Sequence, residues 1–191
     1  RGHPPFVAAL AFRRFDLRGY DLILSSSHAV AKSVRVPAGA LHVCYCFTPM
    51  RYAWDQFDAY FGPERVGHLA SRALRPVLAG LARWDRATAG RVHRYLAISQ
   101  YVARRIALYY NRESTLVHPP VDTDFFHPDP AAGASTSPAD RPSFLVVSAL
   151  VPYKRVDLAM IAARQAGVNL TVVGEGPERE RPRELQQHHH R

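Results

Sequence analysis

Short apolar runs alternate along this chain with stretches whose apolar residues recur every three or four positions. Asp21-Leu-Ile-Leu24, Leu41–Cys46, Tyr95–Ile98 and Thr115–His118 have the length of buried strands. Between them the pattern is helical. Residues 5–14 predict a helix ending near Phe15, and Ala29–Val34 a short one. Residues 64–93 predict a long helical region with Val66, Leu69, Ala73, Val77, Leu81, Trp84 and Thr88 on one face and arginines on the other. Pro76 is expected to split it, because proline opens a helix and breaks one already running. Ser99 is placed to cap a further helix through Tyr110, with Val102 and Ile106 facing inward.

Residues 129–141 change character, to Asp, Pro, Ala, Gly, Ser and Thr. That is a linker composition. It separates a first domain, residues 1–128, from a second that starts at 142 and continues to 191. Phe144–Ser148 predicts a strand, Lys154 to about Ala166 a helix closed by Gly167, and Asn169–Val173 the next strand. Gly174-Glu-Gly-Pro177 is expected to turn into another helix with Pro177 at its first position. Strands alternating with helices mean parallel sheets. The fold class is α/β, with two Rossmann-like parallel-sheet units. Both are expected to be incomplete: strands are missing before Asp21, and the second unit has only about two.

In such folds ligands bind beyond the carboxyl ends of the strands. The segment Phe144–Asp157 has the form of an anion site there. It is a strand, a turn with Pro152, and a helix whose first residues, Lys154 and Arg155, are basic. The first amides of a helix lack internal partners and its dipole is positive at that end. A phosphate or diphosphate fits. Composition sharpens the point, since only Lys32 and Lys154 among the 25 basic residues are lysine. A compact ammonium suits a phosphate oxygen as a point charge. The alternative is a solvated lysine, mildly unfavourable against the dipole.

Net charge is +9, and it is unevenly spread. Residues 1–128 carry 17 Lys and Arg against 9 Asp and Glu, a net +8, and the excess is densest from Arg65 to Arg112. Such a surface could meet anionic lipid or nucleic acid, or could be solvated helix faces in an arginine-biased chain. The hydrophobic content of 47% is that of a globular protein. No apolar run approaches the ~20 residues that span a bilayer. With no secretory signal segment, the expected location is cytoplasmic, with peripheral contact at the inner membrane surface. Cys44 and Cys46 share one face of a strand and are poorly placed for a disulfide, so reduced, partly buried thiols are expected. No metal site is expected. Gln186–Arg191, with His188–His190, is read as a truncation or reading-frame scar.

Six segments together resemble the family 4 glycosyltransferases of GT-B architecture, in particular bacterial mannosyltransferases of surface-polysaccharide assembly. They are Asp21–Lys32, Cys44–Asp55, Tyr95–Ile106, Val117–Phe126, Ser148–Leu158 and Val172–Glu178. The resemblance implies a retaining transfer of a sugar such as mannose from a GDP- or UDP-sugar to a glycan or lipid-linked acceptor. No other cofactor is implied. By the same resemblance Lys154, with Arg155 beside it, meets the donor diphosphate. Gly174 and Gly176 let the backbone approach the donor.

His28, at the end of the first strand, is the candidate catalytic residue, against a capping or core histidine. Arg51, Tyr52 and Asp55 are candidates for the acceptor side, against simple loop packing. Three departures stand out. Phe47 replaces a common histidine, Ala149 replaces a common arginine, and the family's glutamate pair, eight positions apart, is absent. The 191-residue chain is therefore expected to be inactive by itself. The alternative is a non-catalytic basic module for anionic membrane or nucleic acid, although the aromatic-basic interleaving of a base-stacking surface is missing.

Overall fold

The computed structural model describes residues 11–12, 14–27, 29–127 and 143–179. The linker expected at residues 129–141 lies outside them. The chain divides into two units, Arg1–Asp122 and Thr123–Arg191. Both are α/β with parallel strands.

In the first unit, β1 (Leu22–Ser27) is followed by a 3-10 turn at Ala31–Ser33, where a short helix was expected, and then by β2 (Leu41–Cys46). Three short helices follow: α1 (Arg51–Trp54), α2 (Phe57–Phe61) and α3 (Pro63–Val66). The long α4 (His68–Ala89) leads to β3 (Arg94–Ala97), α5 (Gln100–Tyr110) and β4 (Thr115–Leu116). The strands adjoin in the order β1-β2-β3-β4, all parallel. Ser99 caps α5 as its position predicts, its hydroxyl accepting from the Val102 amide at 3.2 Å. The other end of α5 closes on Asn111 in the left-handed region, φ 52°.

Pro76 does not split the long helix. α4 runs through it, and the break falls earlier, at Gly67, where φ is 83°. Pro76 sits on the exposed side. Leu74 and Leu78 flank it and pack with Met50, Phe57 and Phe61, which offsets the lost backbone bond. The reset at Gly67 also changes which face is buried. Leu69, Ala73 and Val77 are exposed, and Ser71, Leu78, Leu81, Asp85 and Thr88 face inward. Three of these are polar or charged, and apolar periodicity was blind to Ser71 and Asp85.

One face of the sheet carries the core. Cys44 and Cys46 of β2 and Tyr95 and Ala97 of β3 pack on Val102, Ile106 and Tyr110 of α5 and Ala89 of α4. Both thiols are free and buried. The hydrogen bond from Cys44, together with burial, pushes the Cys46 thiol far above its ordinary range, which leaves it unreactive. The opposite face is open at its edge, where Leu22, Leu24 and Leu41 are exposed.

A polar chain runs inside the core. Ser25 donates to His42 Nε2 at 2.9 Å, and His42 Nδ1–H donates to the Arg91 carbonyl at 3.2 Å. This explains why β1 continues through serines with no apolar signal. Burial holds the His42 pKa below its ordinary value; the Arg91 carbonyl opposes this, while His93 and Lys32 add to it. The imidazole is therefore folded neutral. Its contribution to stability is intact above the unfolded pKa of about 6.5 and falls as pH drops from there toward the folded value. His42→Gln should make the denaturation midpoint less sensitive to pH between 7.5 and 5. Equal slopes for the two proteins would contradict this.

In the second unit, β5 (Ser143–Val147) and β6 (Asn169–Val173) pair in parallel, with Phe144 opposite Leu170 and Val147 opposite Val173. A 3-10 turn at Pro152–Lys154 and α6 (Val156–Ala166) connect them. The helix thus starts two residues later than expected, because Arg155 is left-handed, at φ 48°. Gly167 closes α6 as expected, its amide reaching the Ala163 and Arg164 carbonyls. No helix forms at Pro177 within the described residues; through Arg179 the chain is turn.

Candidate functional site

The chemistry read from the sequence collects just after strands, in both units. In the first unit the segment leaving β2 holds Arg51, Tyr52 and Asp55. Arg51 and Tyr52 lie in α1, and Asp55 is its C-terminal cap. Tyr52 donates to the Met50 sulfur at 3.4 Å, and its ring meets Tyr60 and Phe61 edge-on. Burial raises its pKa. Asp55 is bound to Arg105 of α5 by two guanidinium nitrogens, Nη1 and Nη2. Arg105 also donates to Thr48 Oγ1 at 3.1 Å, and its guanidinium lies 5.0 Å from the Tyr109 ring centre. Asp55 is thus a strut that fixes the loop. His28 lies outside the described residues; of its neighbours, Ser27 accepts from the Ala29 amide at 2.9 Å.

Behind this segment stands a group that the sequence reading passed over. Lys32, in the turn after β1, is 2% exposed and Asp85 of α4 is 0% exposed, and the two are ion-paired. Lys32 also reaches the Asp85 backbone carbonyl at 3.3 Å. The second carboxylate oxygen accepts from Trp54 Nε1 at 2.9 Å and from the Tyr110 hydroxyl at 2.8 Å. The ammonium lies 5.0 Å from the centre of the Tyr110 ring. Trp54 stacks on Tyr109 with ring centres 4.6 Å apart. One carboxylate therefore ties together the turn after β1, the α1 loop and the end of α5. Two signals pointed to this. A charged residue stood at a core position of a helix, and Lys32 was the other lysine in an arginine-rich chain.

In the second unit, Lys154 and Arg155 lie in the turn between β5 and α6. Lys154 is exposed, with its ammonium 5.7 Å from the Tyr153 ring centre. Arg155 folds back on Asp157, with Nε and Nη2 each donating to the carboxylate, at 3.0 and 3.1 Å. That pair raises the Arg155 pKa. The paired geometry leaves Lys154 as the more available cation. Gly174 and Gly176 lie at the same end of the sheet. The glycine loop is laced to the chain leading to Lys154. Leu150 donates to the Glu175 carbonyl at 2.8 Å, and Glu178 donates back to the Leu150 carbonyl at 3.0 Å. A Cβ on Gly174 would overlap the Ser148 carbonyl, and one on Gly176 the Leu150 carbonyl. Both glycines are thus required by the crossing of two backbone segments.

No protein-family model matches the chain. The curated relatives that match carry the same activity in their names. A GDP-mannose-dependent alpha-(1-6)-phosphatidylinositol monomannoside mannosyltransferase of Mycobacterium tuberculosis (strain ATCC 25618 / H37Rv) is 37% identical over 99 residues. The match covers 46% of this chain and 26% of the relative. The same enzyme of strain CDC 1551 / Oshkosh matches equally. The matched stretch is thus about a quarter of the relatives' length. Among the described residues no helix is long and apolar enough to cross a membrane.

Proposed function

We propose that this chain belongs to a retaining glycosyltransferase of family 4, with GT-B architecture, that uses a nucleotide-sugar donor. The observation that carries the proposal is the similarity to the mycobacterial mannosyltransferases. It favours a GDP-sugar, with mannose as the sugar moved, and a lipid-linked acceptor of surface-glycan assembly at the inner face of the membrane. The second unit contributes the donor diphosphate site. Lys154 offsets the charge that builds up on the departing nucleoside diphosphate, where a fixed cation acts most strongly. Arg155 orients the turn through Asp157 and presents its remaining donors to the same diphosphate. Gly174 and Gly176 keep the facing loop thin enough for the donor to approach.

The first unit contributes the acceptor side. Arg51 and Tyr52 meet the acceptor, Asp55 holds their loop through Arg105, and His28 is the candidate catalytic residue. The sugar C1–O bond to the diphosphate breaks, a C1–O bond to the acceptor oxygen forms on the same face of the ring, and the acceptor hydroxyl's proton passes to the departing diphosphate.

A panel of nucleotide sugars tests the donor class. Saturating GDP-mannose should raise the melting temperature, because a ligand that binds only the folded state stabilises it. Free mannose should not. A chain that ignores every nucleotide sugar, yet binds single-stranded nucleic acid with steep salt dependence, would overturn the proposal in favour of a basic binding module.

A further inference from the structure

Among the described residues, three cavities line the amino-terminal rim of the first unit's sheet. The first, ≈ 640 Å³, is bounded by residues 14–18 and 35–37. The second, ≈ 580 Å³, lies between residues 35–40 and the turn at 90–93. The third, ≈ 450 Å³, lies between residues 93–95 and 111–115. Neighbouring cavities share Arg35, Val36 and Pro37, and then His93, so they adjoin as a broken trough along this rim. Each wall is a segment about to enter a parallel strand. The trough therefore runs along the rim opposite to the carboxyl ends.

Its charge is one-sided. Six arginines line it (Arg14, Arg18, Arg35, Arg91, Arg94 and Arg112) against Asp16 and Glu113, a net +4. Asp16 is already engaged by Arg18 at 2.7 Å. Two of the arginines are anchored by backbone carbonyls. Arg91 donates to Ser33 O at 2.7 Å, and Arg112 to Val92 O at 2.8 Å. Each anchor fixes a guanidinium, and that of Arg112 leaves other N–H donors of its fork for a ligand. His93 accepts the His42 amide on Nδ1 at 2.9 Å, so the neutral ring of this exposed residue carries its proton on Nε2. Arg35 and Arg94 are exposed, and their side chains make no hydrogen bond or ion pair among the described residues.

A concave wall focuses the field of like charges, and pre-set guanidinium forks match phosphate oxygens in pairs. We propose that this trough is a second anion site, for a ligand bearing two or more phosphates, separate from the turn that holds Lys154. The ligand is a soluble polyphosphorylated molecule or the headgroup of a phosphoinositide; the recognising chemistry is shared.

Inorganic tripolyphosphate is the first probe, titrated by calorimetry at low salt into the wild-type chain, Arg35→Glu/Arg94→Glu and Lys154→Ala. The double variant should weaken binding by more than about tenfold, the factor expected from losing one charge-assisted contact. Lys154→Ala should keep the binding component that the double variant loses, and removes at most a second component at its own turn, so the result is independent of the donor-site proposal. Equal binding by the double variant and the wild type, or loss only in Lys154→Ala, would overturn the assignment. Both arginines are exposed, so the fold should persist; Arg35→Gln/Arg94→Gln repeats the test without charge reversal. Flotation with phosphatidylcholine vesicles carrying a phosphoinositide separates the sources. Flotation lost in the double variant identifies a headgroup, and flotation absent in the wild type identifies a soluble ligand.

Discussion

Asp85→Ala should lower the stability of the first unit by about 3–5 kcal/mol, the usual range for breaking a buried ion pair from one side. The variant strands Lys32 in a site where it is 2% exposed, and leaves the Trp54 indole N–H and the Tyr110 hydroxyl without their acceptor. A small domain has only about 5–15 kcal/mol in total, so the loss takes a large fraction of the unit's stability. Asp85→Asn should cost less, because the amide oxygen still accepts from Trp54 or Tyr110, but it leaves the same uncompensated ammonium. Lys32→Met/Asp85→Leu should recover part of the loss, since apolar replacement of both partners removes the stranded charge. Urea midpoints for the four proteins order these effects. A shift below about 1 kcal/mol for Asp85→Ala would mean that the pair does not hold the unit together. Because α1 hangs on the same carboxylate through Trp54, the loop with Arg51 and Tyr52 should loosen along with it.

Gly174→Ala is the counterpart in the second unit. Gly174 has φ 155° and lies so close to the Ser148 carbonyl that a methyl group has no room. Such a φ is nearly confined to glycine and costs other residues about 1–3 kcal/mol, and the overlap adds a comparable amount. The clash is with backbone, so no side-chain rotation relieves it. The Ser148–Val173 and Leu150–Glu175 backbone bonds lie on either side of the contact, and both should open. With a loss of about 3 kcal/mol, hydrogen exchange at β5 and β6 should accelerate by roughly a hundredfold. Unchanged protection would show that the two segments can separate at little cost. Gly176→Ala should behave alike, through the Leu150 carbonyl.

Strands were legible where apolar residues marked them. Leu41–Cys46 and Asn169–Val173 stand where their patterns place them. β1 ran further than its pattern because Ser25 is buried on a histidine and not on apolar neighbours. The phase of α4 was misread for the same reason. Its inner face includes Ser71 and Asp85, and the glycine that resets it lay before Leu69, an 88%-exposed leucine that apolar counting had placed inside. The start of α6 shifted because Pro152 begins a 3-10 turn and Arg155 adopts a left-handed conformation, neither of which leaves an apolar trace.

Among the described residues, the proposed site residues of each unit fall beyond the carboxyl ends of its strands, a consequence of parallel topology that alternation alone predicts. Their pairing was not legible. Asp55 finds Arg105 fifty positions away, and Arg155 turns to Asp157 only because of its backbone conformation. Lys32 shows the limit of reasoning from rarity. The same scarcity that singled out Lys154 marks a lysine whose partner is a buried aspartate.

The most direct test of the donor-site proposal is a phosphorus NMR titration of GDP with the wild-type chain and with Lys154→Ala. If the turn before α6 holds the donor diphosphate, both phosphate signals of GDP shift on adding the wild-type chain, and the variant binds about tenfold more weakly or worse. GDP signals that do not move, or that move equally with both proteins, would contradict it.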